Sequence, residues 1–548
     1  MQTIRRAIIV SSFLIALFFQ GNAQTQKYWI SFKDKDVSGY NYENNLSART
    51  IVNRTTLHIP LFQYSDIPLT ASNITVLNNL NVTIVATSKW LNAVTAYLAP
   101  EQVAQVKQLE FVSSIEPVSV YLIASSTSID IAPDLMHTAM KQMKAKSFTS
   151  NGIDGTNITI GVIDAGFHKL QEDPATSYLV RDRKILGQRD FIDRSRTDII
   201  TKAATSSDDH GRQVVRMIAG YDSSMKKQFG MGVNASFYLA RTENGDKEYR
   251  GEEDMWIMAM EWMDSIGVRL ISTSLGYATK MDDPKDNYTA EEIDGKTARI
   301  TKAAQIAFTQ KGIFLTVSAG NEGDSEWGII SAPADAEGAL SVGATNEMNW
   351  DRIYYSSIGP ENLPYLKPNV SCYSPNGTSF SCPAVAGFVA CLMNSDSTLT
   401  NVQLKNIIQK SAHLYPYGNN YIGYGVPQAD RALKLSKDTL SVFESVVSVT
   451  VAKKVYKYTF DKTISVNLVV FNKKNETIVS NQQVVSIKNG KLKRQPVILI
   501  KKWKLKINLK NQLGISVKKG KLKIKRDKGL ARTTVVADEF LTLEIIWK

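Results

Sequence analysis

Three patterns in the chain predict an α/β fold built on a parallel sheet. Across residues 157–436, short β-branched runs alternate with longer amphipathic stretches. The segments before and after lack that alternation, so they form separate units. Polar residues with chemical potential stand where the apolar runs stop, and a parallel sheet gathers its functional groups at the C-terminal ends of its strands. With 548 residues, 43% hydrophobic and 21% charged, the chain can bury a large core and hold several domains.

The N-terminus reads as a signal for export. Arg5 and Arg6 precede an apolar run at 7–19 that is short for a membrane span, and Gly21-Asn22-Ala23 fits a small-residue cleavage site. Residues 1–23 are then a signal peptide, the exported chain begins near Gln24, and the protein is secreted: extracellular, periplasmic or at the cell surface. An uncleaved anchor is the alternative.

Residues 24–120 form a small α+β unit. Strand-like runs occur at 28–32, 82–87, 93–98 and 111–118, and Pro100 opens a helix that runs to about residue 109. A polar, Ser- and Lys-rich linker follows at 121–156. Within 157–438 the expected strands are 158–163, 237–240, 270–274, 313–317 and 339–342, with helices at 254–266 and 297–310. From 439 to 548 the period changes to two, clearest at 502–510 and 521–525, where lysines alternate with apolar residues. That pattern predicts a β-sandwich-like domain whose strands have one apolar and one basic face. The formal charge of +13 is concentrated there, with 24 basic against 7 acidic side chains after residue 440.

Three positions carry the chemistry. Ser379 follows Asn376-Gly377-Thr378 and precedes the apolar run 384–390, which places it at the N-terminus of a buried helix. Free N–H groups at such an end can hold an oxyanion, although serine is also an ordinary N-cap residue. His210 opens an amphipathic run in Asp208-Asp209-His210-Gly211, and Asp164 ends the run 158–163 beside Ala165-Gly166. A nucleophilic serine needs a base and a group to orient that base. Each signal taken singly has a bland reading: cap serine, loop histidine, turn aspartate.

The order Asp164, His210, Ser379 resembles that of the subtilases, the subtilisin-like serine proteases. The resemblance spans about 157–436. It implies a subtilisin-like parallel sheet sandwiched by helices, with Asp164 orienting, His210 as general base and acid, and Ser379 as nucleophile in an endopeptidase that works through an acyl-enzyme. Ser318-Ala319-Gly320-Asn321 is similar to the family's oxyanion-hole segment, which implies Asn321 and the Ser379 N–H as donors. Ser274-Leu275-Gly276 resembles the segment that pairs with substrate backbone, and Gly423-Tyr424-Gly425-Val426, with Ala429 and Ala432, resembles the closing segment.

Residues 27–118 resemble the family's inhibitory propeptide through Trp90-Leu91-Asn92-Ala93-Val94 and Pro100-Glu101-Gln102-Val103. This implies a zymogen with a small α+β prodomain as intramolecular inhibitor, cut between about 118 and 150. The implied partners are protein or peptide substrates. The chemistry requires no cofactor or catalytic metal; structural calcium is common in the family, with no ligands assignable here.

Several positions depart from the family pattern. Arg212 and Gln213 stand where many relatives have Thr and His, so Arg212 either repels protons from the base or points to solvent. Ala165 replaces a hydroxyl residue that could hydrogen-bond the aspartate, Phe380 replaces a frequent Met, and Asn369 a frequent Asp. Cys372, Cys382 and Cys391 surround the serine segment, as buried thiols or with a 372–382 bridge. The basic C-terminal domain reads as a solvated appendage, as a contact to an anionic surface, or as a sorting domain; no nucleic-acid motif is visible. A silent subtilase scaffold used for binding is the second function class. An α/β-hydrolase esterase would need Gly-x-Ser-x-Gly around Ser379 and the order Ser, Asp, His, and the chain has neither.

Overall fold

The computed structural model describes residues 25–118, 133–205, 208–244, 250–278 and 287–438. In the C-terminal part it describes 446–459, 466–488, 491–493, 497–501, 504–508, 515–518, 521–526, 528–537 and 541–548. The signal-peptide reading of 1–23 and residues 119–132 of the expected maturation region lie outside the described residues, as do parts of the alternating run 502–510.

The chain divides into two compact units: residues 1–39 with 65–120, and residues 40–64 with 121–548. The smaller unit is a four-stranded antiparallel sheet in the order Thr83–Ser88, Ala93–Leu98, Gln26–Phe32, Val112–Val118. Its helices are Ala71–Asn79 and Pro100–Lys107, the latter opened by proline at its first position. Ile30, Phe32, Leu77, Val94, Leu98 and Val106 form its core.

The larger unit is organised by a seven-stranded parallel sheet in the order Val370–Tyr373, Leu340–Thr345, Phe314–Ser318, Leu270–Thr273, Thr159–Asp164, Ser236–Arg241, Ile185–Asp190. The central strands are buried along their whole length, which is why they read as continuous apolar runs. The helix Thr378–Ser395, here the serine helix, is buried from Phe380 to Met393 and runs under the sheet. It is apolar on all sides, as a helix enclosed by the core must be. The histidine helix, His210–Ala219, packs beside it, with Gly387 close enough that a Cβ would lie 2.9 Å from the Ile218 carbonyl. Other covering helices are Glu253–Ser265 and Arg299–Ile306. The latter ends earlier than the periodicity predicts, because Ala307–Lys311 turns with a wider pitch and stops at left-handed Gly312.

The C-terminal part is all β. Its six-stranded sheet runs Val446–Val451, Leu541–Trp547, Arg532–Ala537, Val466–Lys473, Val479–Lys488, Lys491–Lys493. A three-stranded sheet contributes Ile524 to the same core as Leu468, Val470 and Ile545. Ile524 is buried between exposed Lys523 and Lys525, the basic and apolar faces that the alternation predicts. A second apolar cluster joins Val469, Phe471, Val479 and Val536 to Leu414 and Ile422 of the α/β part. Among the described residues no helix is long and apolar enough to cross a membrane.

Candidate active site

Asp164 is the last residue of its strand and is fully buried. Its Oδ1 accepts the Ala165 N–H at 2.8 Å and lies 2.7 Å from His210 Nδ1. A carboxylate only accepts, so the Nδ1 proton belongs to the histidine and the neutral ring keeps its lone pair on Nε2. Asp164 Oδ2 is buried without a hydrogen-bond partner, as expected where alanine stands in place of a hydroxyl residue at 165. Burial pulls the His210 imidazolium down, but the charge and hydrogen bond of Asp164, with the charge of Asp209, outweigh it. The ring is held above the usual imidazole value.

His210 is the first residue of its helix, and its ring centroid lies 5.6 Å from that of Phe380, the neighbour of Ser379. Ser379 is the second residue of the serine helix, behind Gly377 at φ 89°. Its N–H precedes the intrahelical ladder and is available to a ligand. Its hydroxyl donates to the Ser274 carbonyl at 3.3 Å, while Ser274 Oγ donates to the Ser379 carbonyl at 2.9 Å. The residue order predicts hydrogen bonds from Asp164 to His210 to Ser379. The first is present. At the second, the hydroxyl is turned to Ser274, a rotamer that a substrate-free site readily adopts.

Asn321 follows left-handed Gly320, and its Oδ1 accepts the Thr378 N–H at 2.8 Å and the Thr378 hydroxyl at 3.1 Å. Those donors fix which end of the amide is oxygen and leave Nδ2 as the donor end. The adjacent Gly320 N–H donates to Thr378 Oγ1 at 3.1 Å, so the asparagine loop and the serine helix are joined at two points. Ser274, Leu275 and Gly276 leave the sheet after Thr273 as an irregular segment rather than a strand, and Gly276 is exposed. The next residue, Tyr277, exchanges backbone hydrogen bonds with Ala332.

Arg212 neither faces the base nor points to solvent. It pairs with Asp173 at 2.8 Å and Asp209 at 3.3 Å, with only 11% of its side chain exposed. All three cysteines are free and buried. Cys382 bonds weakly to the Thr273 carbonyl, and burial pushes its thiol up to about 12, so these thiols are inert packing groups.

Sequence reasoning misses the ion-pair network behind the site. Arg241 ends the strand next to that of Asp164 and is 2% exposed. Its Nε donates to the Ala165 carbonyl at 2.9 Å and lies 3.3 Å from Asp208 Oδ1, while its Nη1 pairs with Asp190 at 3.1 Å. Arg196 bridges the same two aspartates. The one linear hint is the Asp208-Asp209 pair before the histidine. Among the described residues, no group of three or more His, Cys, Asp or Glu is placed to hold a metal ion.

Comparison with known proteins agrees with this architecture. The family model described as "Subtilase family" matches residues 155–425, and the "Peptidase S8 propeptide domain, Bacteroidota" matches residues 27–129. Subtilisin NAT from Bacillus subtilis subsp. natto is 27% identical over 348 residues, covering 62% of this chain and 80% of the relative. Subtilisin DY from Bacillus licheniformis is 28% identical over 280 residues, 49% of this chain and 89% of the relative. Among solved structures, the epidermin leader peptide processing serine protease of Staphylococcus aureus superposes with a TM-score of 0.51 at 12% identity, covering 76% of this chain and all of that one. Fervidolysin from Fervidobacterium pennivorans superposes with a TM-score of 0.50 at 13% identity, covering 94% of this chain and 71% of that one. These superpositions concern the fold, whereas the sequence matches carry the family. The chain belongs to the subtilase family: it is a subtilisin-like serine peptidase with an N-terminal propeptide domain.

Proposed function

We propose that the protein is an exported endopeptidase, made as a zymogen, that hydrolyses peptide bonds through Ser379, His210 and Asp164. The observation that carries this reading is the 2.7 Å contact from His210 Nδ1 to Asp164, with Ser379 at the head of a buried helix beside the same ring. The Ser379 hydroxyl swings from the Ser274 carbonyl to His210 Nε2; the bond it leaves is long at 3.3 Å, so the move costs little. His210 takes the hydroxyl proton as Oγ attacks the carbonyl, and Asp164 stabilises the imidazolium that forms. The Asn321 amide and the Ser379 N–H receive the oxyanion. His210 then gives its proton to the departing amine, and water attacks the acyl-enzyme by the same route in reverse. The free backbone of Ser274-Leu275-Gly276 offers an extended substrate its pairing partner. The reaction needs no cofactor.

In this reading the divisions are 1–23, 24–120, 121–156, 157–438 and 439–548, and the propeptide is cut away within the linker. A serine-directed fluorophosphonate probe tests the nucleophile: labelling of the processed protein that disappears in Ser379→Ala supports it, and no labelling of a folded, processed sample sinks it. N-terminal sequencing tests the zymogen. A fully active enzyme that begins at Gln24 contradicts it.

A further inference from the structure

The segment 40–64 lies inside the stretch matched as propeptide, yet it packs as part of the larger unit. Its helix, Ala48–Thr56, is capped by Ser47, whose hydroxyl accepts the Thr50 N–H at 3.1 Å. The helix does not dock through an apolar stripe. Its buried residues are Thr50 and Arg54, while Val52 is 62% exposed.

Each polar contact of this segment has a defined receptor. Thr50 Oγ1 donates to the Asp264 carbonyl at 2.9 Å, and Arg54 Nη2 lies 3.3 and 3.4 Å from the two Asp264 carboxylate oxygens. Arg54 is 0% and Asp264 2% exposed. Asn53 Nδ2 donates to the Gly267 carbonyl at 2.9 Å, and Arg49 Nη1 to Thr159 Oγ1 at 3.3 Å. Gly267 and Gly312 form the floor. A Cβ on Gly267 would sit 2.7 Å from Arg49 Cγ, and one on Gly312 2.5 Å from Ile59 Cδ1. Asp264 stands in the last turn of the helix Glu253–Ser265, where the helix dipole also favours a cation.

The receptors share one edge of the sheet. Thr159 begins the strand that ends in Asp164, Gly267 precedes Leu270–Thr273, and Gly312 precedes Phe314–Ser318. In a parallel sheet these are all N-terminal ends, so the contact lies on the edge opposite Asp164, Ser274 and Ser379.

We infer that this N-terminal edge is an exosite for the chain's own propeptide, a charge-selective socket that takes the arginine-bearing helix 48–56 and sets how long the cut propeptide is held. The inference rests on the maturation proposed above. A cut within 121–156 touches none of these contacts, and the severed segment stays seated through them. The buried ion pair makes the socket selective: either partner left alone would be a buried, uncompensated charge, so a helix without an arginine at this position is refused.

The test uses the full-length, active chain and follows four variants through maturation: Arg54→Met, Asp264→Asn, Asn53→Ala, and the exchange Arg54→Asp with Asp264→Arg. N-terminal sequencing times the cut, size-exclusion chromatography reports whether the fragment still co-elutes, and a peptide substrate times the onset of activity. The expected result is cutting at the parental rate in all variants. The delay between cut and activity should shorten about tenfold for Arg54→Met and Asp264→Asn, shorten less for Asn53→Ala, and return toward the parental delay in the exchange. The freed Asp264→Asn enzyme should keep the parental kcat/KM and thermal midpoint. Asn53→Ala alters only the released side and keeps the test decisive if a charge variant fails to fold. Equal delays after equal cutting would overturn the exosite alone, as would a freed Asp264→Asn enzyme that has lost thermal stability. An uncut chain with full activity would overturn the maturation reading and the exosite together, and sequencing tells the two failures apart.

Discussion

Arg241 Nε lies 3.3 Å from Asp208 Oδ1, two residues before His210, and donates to the carbonyl of Ala165, one residue after Asp164. One buried guanidinium thus ties together the two loops that present the base and its orienting carboxylate. Neither loop lies within a sheet or a helix at that point, so this ion pair supplies the rigidity that regular structure does not.

Arg241→Met leaves Asp190 and Asp208 buried, with Arg196 as their remaining cation. The expected loss is about 3–5 kcal/mol of folding free energy, read by urea denaturation in a Ser379→Ala background, with Arg241→Lys losing less. A variant as stable as the parent would show the network to be replaceable.

His210 sits above the ordinary imidazole value, and a general base must be neutral to act. The acid limb of kcat/KM is therefore expected above about pH 6.5. Ala165→Ser offers a hydroxyl to the unpartnered Asp164 Oδ2 and draws on the charge that holds the ring up, so the limb should move to lower pH. The same sign governs stability. The charged ring supports the fold below about pH 6.5, and that support fades as pH climbs through the folded-state value. Asp164→Asn should remove both effects, with turnover down about 10⁴-fold.

Asn321→Ala removes one proposed oxyanion donor and also an acceptor for the Thr378 N–H. Turnover should fall about 10²–10³-fold with KM little changed, a range carried over from the equivalent loss in a subtilisin. A variant that instead raises KM at constant kcat would place the amide in substrate binding rather than in oxyanion stabilisation.

His413 is buried, with Nδ1 accepting the Val426 N–H at 2.9 Å. Burial first, and Arg431 second, push it down to about 3. The unfolded ring protonates near 6.5 and the folded one only near 3, so the unfolded state binds the extra proton between those values. Stability should thus be full above about pH 6.5 and fall with acidification toward pH 3, by at most about 1.4 kcal/mol per unit from this residue. His413→Asn keeps an acceptor without a titration and should flatten the curve of urea midpoint against pH.

Asp164, His210 and Ser379 are legible in the sequence because each stands at the end of a strongly periodic segment, where a strand or helix boundary also fixes the side chain's direction. The central strands are legible for the same reason. The strand Ile185–Asp190 is not: at the sheet's edge only Asp190 is buried, so no apolar run marks it. Val370–Tyr373 is four residues long and too brief to show a period. The helix Ala48–Thr56 buries threonine and arginine rather than leucine, and its amphipathic pattern has meaning only once Asp264 is opposite it. Arg212 shows the same limit: Asp209 is its neighbour at the helix cap, but Asp173 approaches from a separate loop that the local sequence does not reveal.

The cluster that joins Val469, Phe471 and Val536 to Leu414 and Ile422 bears on how this enzyme could be shortened. A chain ending at residue 438 would expose an oily patch that the remaining fold has no means to cover. Such a truncation should aggregate on expression, and the intact α/β and all-β parts should melt in a single transition. The basic appendage is thus less a passenger than a wall of the same house.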